Sequence, residues 1–152
     1  MVRKAIKLKS SNGKSSLEQA LAAQERAIRE LRLIIANEQA LSESEQAVVV
    51  FDDDTRVIRA SRLFCSLTGI RAEDIPLKNY NVLDFITSAN MEIVDGTQDA
   101  LGGKTRFVKN LVTPLKMFLP EWNDKRISAY TKAMFFPLSE TDGKYGAAVF
   151  MK

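Results

Sequence analysis

Histidine is absent from all 152 residues, and cysteine and tryptophan occur once each. Without imidazole there is no His-ligated zinc or haem, no Ser-His-Asp hydrolysis and no histidine acid–base chemistry. No nucleophile–base pair can be assembled from the remaining residues, so the chain does not read as an enzyme. Cys65 is alone and forms no intramolecular disulfide, which suits a reducing cytoplasm. No run is long and apolar enough to span a bilayer, and no secretory signal is visible.

Charge of one sign is missing from the start of the chain. Residues 1–14 hold Arg3, Lys4, Lys7, Lys9 and Lys14 and no acid. Taking those five from 22 basic residues leaves 17 against 19 acidic in the remainder. The net charge of +3 therefore sits in the leader, and the body is slightly acidic. A folded basic face for nucleic acid is not evident, so no specific nucleic-acid partner is expected. Residues 1–14 show no sustained apolar periodicity and predict a disordered basic leader.

Glycine and proline are missing from residues 15–45. Ser15 and Glu18 have capping-box spacing. Leu17, Leu21, Gln24, Ile28, Leu31 and Ile35 then alternate by four and three, a heptad-like stripe. A helix from Ser16 to Gln39 would be roughly 36 Å long at 1.5 Å per residue. Two surfaces suit its apolar face: its own domain, or a second copy of itself together with the domain's sheet. Residues 15–45 are read as this amphipathic helix and a link, and residues 46–152 as the folded body.

The body opens with QAVVVFDDDTRVIRASRLFCSLTGIRAEDIPLKNYNVLDFI, Gln46 to Ile86. Two β-rich runs, 47–51 and 56–60, flank Asp-rich punctuation and predict a hairpin. Leu63, Phe64 and Leu67 have helical spacing, with Gly69 as the stop. Ala72 to Ile75 reads as a short acidic turn or helix, and Val82 to Ile86 as a short apolar helix. Met91 to Val112 reads as helix on at least one side of a break at Gly102-Gly103. Strands are predicted at Thr113–Leu119, Ile127–Leu138 and Tyr145–Met151, with a turn at residues 139–143. Both faces of the last two strands are largely apolar, which implies a sheet covered on both sides.

The fragments AVVVFDDD, RVIRAS, LFCSLTGI, RAEDIPLKN and NVLDFI, in this order and spacing, resemble a PAS domain over Gln46 to Lys152. Ser61 stands where the family usually has Asn, and Leu77 where it often has Gly. The resemblance implies an α+β fold: a five-stranded antiparallel sheet with short connecting helices, here preceded by a long N-terminal amphipathic helix. It also implies a cytoplasmic sensory or dimerisation module of a signal-transduction regulator, such as a two-component system. The phospho-accepting histidine of a sensor kinase is absent, so any such output would lie on another chain or a part not present. Relatives often carry an Asp-Ile/Val-Thr triad before an output element, and Phe150-Met151-Lys152 does not supply it. Alternatives are a dimerisation module of a transcription regulator and a stand-alone protein-interaction domain.

Cofactors are predicted to be absent. The flavin-binding run Gly-x-Asn-Cys-Arg-Phe-Leu-Gln is missing, and Cys65 reads as a small buried residue. Asp52, Asp53 and Asp54 read as a solvated turn rather than a metal site. Gly102-Gly103-Lys104 lacks the pattern of a nucleotide loop and reads as a flexible joint. In the resemblance, a cavity lies between the inner sheet face and the connecting helix. Its candidate lining is Phe107, Leu111, Leu115, Met117, Thr131, Ala133, Phe135 and Ala148, open to a small apolar ligand. Alternatively, Phe64, Phe85 and Phe107 fill that space as core. The homodimer interface is predicted at Leu17, Leu21, Gln24, Ile28, Leu31 and Ile35, with Tyr130, Met134, Phe136, Tyr145 and Val149 on the outer sheet face.

Overall fold

The structure, a computed structural model, describes residues 2–138 and 144–152, and side chains from residue 16 onward. The predicted turn at residues 139–143 lies outside the described residues. The chain divides into two units, residues 1–36 and 37–152.

The first unit is one helix, α1, Val2–Ala36. It begins well before Ser15, so residues 2–14 are helical where the sequence predicts a disordered leader. Lys, Arg, Ala and Leu are good helix formers, and extending an existing helix adds one hydrogen bond per ordered residue. Along α1, Leu17, Leu21 and Leu33 are 67%, 57% and 73% exposed. Ile28, Leu31 and Ile35 are buried, and Gln24 is half-buried.

The second unit opens at Asn37, whose extended backbone and side-chain oxygen cap a short helix, α2, Glu38–Ser42. Asn is a favoured cap because its oxygen takes an orphan N–H, here that of Ala40 at 3.1 Å. The predicted helix therefore stops short of Gln39, and the folded unit starts before Gln46.

Strands β1, Ala47–Asp52, and β2, Val57–Ala60, form the predicted hairpin. Asp52 Oδ1 accepts the N–H groups of Asp54 and Arg56, each at 3.0 Å, and Thr55 takes a φ of 61°. Ser61 then caps α3, Arg62–Thr68, and Gly69 ends it at a φ of 80°. A tight 3-10 turn, Ala72–Asp74, leads into α4, Ile75–Lys78, as the acidic stretch predicts. Val82 to Phe85 forms turns and not the predicted helix. A 3-10 turn, Ser88–Asn90, precedes α5, Glu92–Leu101. Helix α5 ends at Gly102-Gly103 as predicted. The pair is a capped stop rather than a joint, with Gly102, Gly103 and Lys104 N–H groups bonded back into the helix.

The third strand is β3, Arg106–Val108, not Thr113–Leu119. Residues 113–119 instead contain a 3-10 turn, Pro114–Met117, entered through Thr113 at a φ of 41°. Pro114 lacks the N–H that a ladder there would need. The predicted strand from Ile127 also shortens. Lys125–Ala129 is a 3-10 turn capped by Asp124, and β4 runs Lys132–Pro137. The last strand, β5, is Tyr145–Met151 as predicted.

The sheet is antiparallel with order β2-β1-β5-β4-β3. Ala47, Val49, Phe51, Ala133, Phe135, Ala148 and Phe150 face one core cluster with Phe64, Leu67, Ile93, Leu115 and Phe118. The α+β fold read from the sequence is therefore present, with a different third strand.

Candidate functional site: the inner face and the surface hollows

The inner sheet face is where the resemblance puts a cavity. Leu111, Leu115, Met117, Ala133, Phe135 and Ala148 all lie in the buried core there. Leu111, Leu115 and Met117 arrive from the long segment between β3 and β4. Thr131 is half-buried and stands just before β4, with its N–H on the Met151 carbonyl at 3.1 Å. Phe107 is not with them. It pairs with Met134, so it shares the opposite face, and it is 42% exposed. The small residues Ala133 and Ala148 do not leave this face bare, because aromatic rings crowd it.

Four of the rings on the inner face pack on one another. Phe64 and Phe118 meet edge to face, with centroids 4.8 Å apart. Phe150 lies 6.2 Å from Phe64, 6.0 Å from Phe118 and 6.5 Å from Phe135. These separations and tilts are those that aromatic quadrupoles favour. On the helix side, a Cβ added at Gly96 of α5 would lie 2.5 Å from the Phe135 ring. A Cβ added at Gly146 of β5 would lie 2.6 Å from Phe51. Phe64 fills core as the sequence allows, but Phe85 is 53% exposed and does not. Phe118, Phe135 and Phe150 fill the space in place of Phe85 and Phe107.

Among the predicted outer-face residues, Met134, Phe136 and Val149 are buried and alternate with the inner set. Tyr145 is 39% exposed. Tyr130 belongs to the inner core cluster, because the chain there follows a 3-10 turn and not a strand.

The remaining singled-out groups are tied into local structure. The Asp52, Asp53 and Asp54 carboxylates gather within 4.8 Å of one another. Arg56 bridges Asp52 at 3.2 Å and Asp54 at 3.5 Å, and the Asp52 oxygen holds the turn. Cys65 is half-buried on α3. Burial, and secondarily the Glu73 carboxylate, push its thiol pKa up, away from nucleophilic character. Ser61, fully buried, accepts the N–H groups of Val48 at 2.9 Å and Phe64 at 3.2 Å. It donates to the Gln46 carbonyl.

Among the described residues, the hollows on the surface of the second unit include two of more than 500 Å³. One, of 530 Å³, lies between α2, β2 and the Ala72–Pro76 region. The other, of 650 Å³, lies between the Lys78–Phe85 turn and the Phe118–Glu121 loop. Its walls are Tyr80, Phe85, Phe118, Leu119 and Pro120, and its polar rim is Lys78, Asn79, Asn81, Asp84 and Glu121. Both volumes fall in the range of small-molecule sites. The sequence signal for the second hollow is weak: Phe85 reads as core, and nothing local joins it to Pro120.

No protein-family model matches the chain, and no curated protein matches it. Among solved structures, it is similar to the PAS domain of an HTR-like protein from Haloarcula marismortui. That match has 9% identity and a TM-score of 0.46, covering 88% of this chain and 98% of the other. It is similar to a sensory box sensor histidine kinase from Vibrio cholerae at 15% identity and a TM-score of 0.47, covering 84% and 95%. It is also similar to a fungal LOV domain photoreceptor at 16% identity and a TM-score of 0.46, covering 70% and 72%. The photoreceptor and kinase roles are those of the matched proteins.

Proposed function

We propose that residues 37–152 form a PAS-type sensory module of a signal-transduction regulator, that α1 pairs two copies, and that the chain has no catalytic activity. One observation carries the reading. The five sequence fragments that resemble the family fall on β1, β2, α3, the Ala72–Lys78 turn and helix, and the Asn81–Ile86 turn, in order. They lead into the antiparallel five-stranded sheet that the resemblance requires.

Pairing is supported by the exposed Leu17 and Leu21 on one stripe of α1. Each such residue contributes on the order of 1.5–3 kcal/mol when buried, which gives a second copy something to cover. Relay is supported by the place of β5, which bonds to both β1 and β4 at the centre of the sheet. A change in packing at Phe150 reaches both neighbours through that strand. The purified protein is expected to show no visible absorption band, because it has no histidine and no flavin-type cysteine run.

Light scattering tests the pairing. The wild type is expected at the mass of a dimer, and Leu17→Glu/Leu21→Glu at that of a folded monomer. Both positions are exposed, so the substitution leaves the core alone. A monomeric wild type, or a double variant that stays dimeric, removes α1 as the pairing element.

A further inference from the structure

We propose that the 650 Å³ hollow between the Lys78–Phe85 turn and the Phe118–Glu121 loop binds a small organic cation with an aromatic or apolar body. The inference goes beyond the sensory reading. It holds or fails without pairing, because the hollow lies wholly within residues 37–152.

The charge balance of the rim selects the sign of the ligand. Lys78 is held by Asp74 at 3.4 Å. Asn81 is engaged at both ends: its oxygen accepts the Thr55 hydroxyl at 2.7 Å and the Leu83 N–H at 2.9 Å, and its amide donates to the Asp54 carbonyl at 2.9 Å. That leaves Asp84 and Glu121, both exposed and without an ion pair among the described residues. Two uncompensated carboxylates facing one hollow attract a cation and repel an anion.

The walls select the body. Tyr80 and Phe85 line the hollow together with the nearly buried Phe118, and aromatic rings favour an ammonium group over a carboxylate. Phe85 is 53% exposed, a large apolar surface left to water unless something covers it. A smaller hollow of 210 Å³ shares Phe85 and Pro120 and extends the apolar wall to Val112 and Met117. Its one cationic neighbour, Lys116, donates to the neutral Asn123 at 2.8 Å and keeps its charge, but forms no ion pair with Asp84 or Glu121 among the described residues, so the two carboxylates outnumber it. The floor is connected to the interior, since Phe118 touches Phe64 and Phe150 in the core.

The test is a titration of the isotope-labelled full chain with 2-phenylethylamine, and in parallel with phenylacetate, followed by NMR. Saturable shifts are expected with the amine at the amides of Asn79–Phe85 and of Leu119 and Glu121. Phenylacetate is expected to leave them unmoved. Asp84→Asn/Glu121→Gln should weaken amine binding by about tenfold, the effect of two exposed charge pairs. Both side chains are exposed, so the variant folds, and its unperturbed core resonances check that. Absence of saturable amine binding, equal binding of phenylacetate, or an unchanged affinity in the double variant overturns the proposal.

Discussion

The two ends of the sheet are closed in opposite ways. Strands β1 and β2 are joined by residues 53–56 alone, a turn held by Asp52. Strands β3 and β4 pair as directly, yet residues 109–131 lie between them. That segment contains no strand, only 3-10 turns at Pro114–Met117 and Lys125–Ala129. The short connection makes a hairpin, and the long one makes a cover for the core. Leu111, Leu115, Met117, Phe118, Ile127 and Tyr130 all leave it for the inner sheet face. A connection of that length pays its ordering entropy back through these side chains rather than through a backbone ladder.

The largest effect is expected where the cover meets the hairpin side of the core. Phe118 is 2% exposed and sits edge-on to Phe64 of α3. Phe118→Ala leaves a cavity that the rings of Phe64 and Phe150 cannot close without losing their own contacts. A cost of about 3–5 kcal/mol is expected from denaturant unfolding. A loss below about 1 kcal/mol would mean that the segment is a loose flap and that the two ends of the sheet are alike after all.

The hairpin side should lose less from its own central polar group. Ser61 is buried and serves three backbone partners, at Gln46, Val48 and Phe64. Ser61→Ala strands two N–H groups and a carbonyl, at a cost of roughly 1–3 kcal/mol. Ser61→Asn brings in the residue that the resemblance prefers, and full stability in that variant would show that the site only needs a cap. Equilibrium unfolding of the two variants, measured side by side, separates the capping role from buried satisfaction.

The same contrast explains what the sequence could reveal. Chemistry confined to a few neighbours was legible. Asp52 to Thr55 marked a turn, Ser61 and Gly69 bounded α3, and Gly102-Gly103 ended α5. The third strand was not legible, because Arg106–Val108 is three residues long and owes its form to β4, far along the chain. Leu115, Met117 and Leu119 alternate as a strand does, yet Pro114 and the left-handed Thr113 turn that stretch into a helix-like knot. For the candidate pocket, the resemblance put Phe107 inside, on the connecting helix, whereas it lies on β3. Its pairing with Met134 puts it outside, a matter of register that no local pattern carries. The hollow beside Phe85 depends on two loops far apart in sequence, so only the folded chain could disclose it.

The smallest expected effect lies at the end of the cover, where an aspartate repeats the role of Asp52. Asp124 accepts the Arg126 N–H at 2.9 Å, its Nε at 3.0 Å and its Nη2 at 2.8 Å. The side-chain bonds from Arg126, then its backbone N–H, hold the Asp124 pKa down at about 2. An unfolded aspartate titrates near 3.9 or so, about two units higher. A pKa depressed on folding means that the unfolded state binds the proton more readily. The contribution is therefore fully present above about pH 4 and is lost as pH falls through about 2. Asp124→Asn removes that dependence. Wild type and variant should differ most in unfolding midpoint at neutral pH and converge at the acid end, while Asp124→Asn keeps a side-chain oxygen to cap Lys125–Ala129. Because the pair is at the surface, salt should shrink the difference. Stability curves for the two proteins that run parallel down to pH 2 would show that Arg126 contributes nothing through Asp124, and that the long cover is anchored by Phe118 and its neighbours alone.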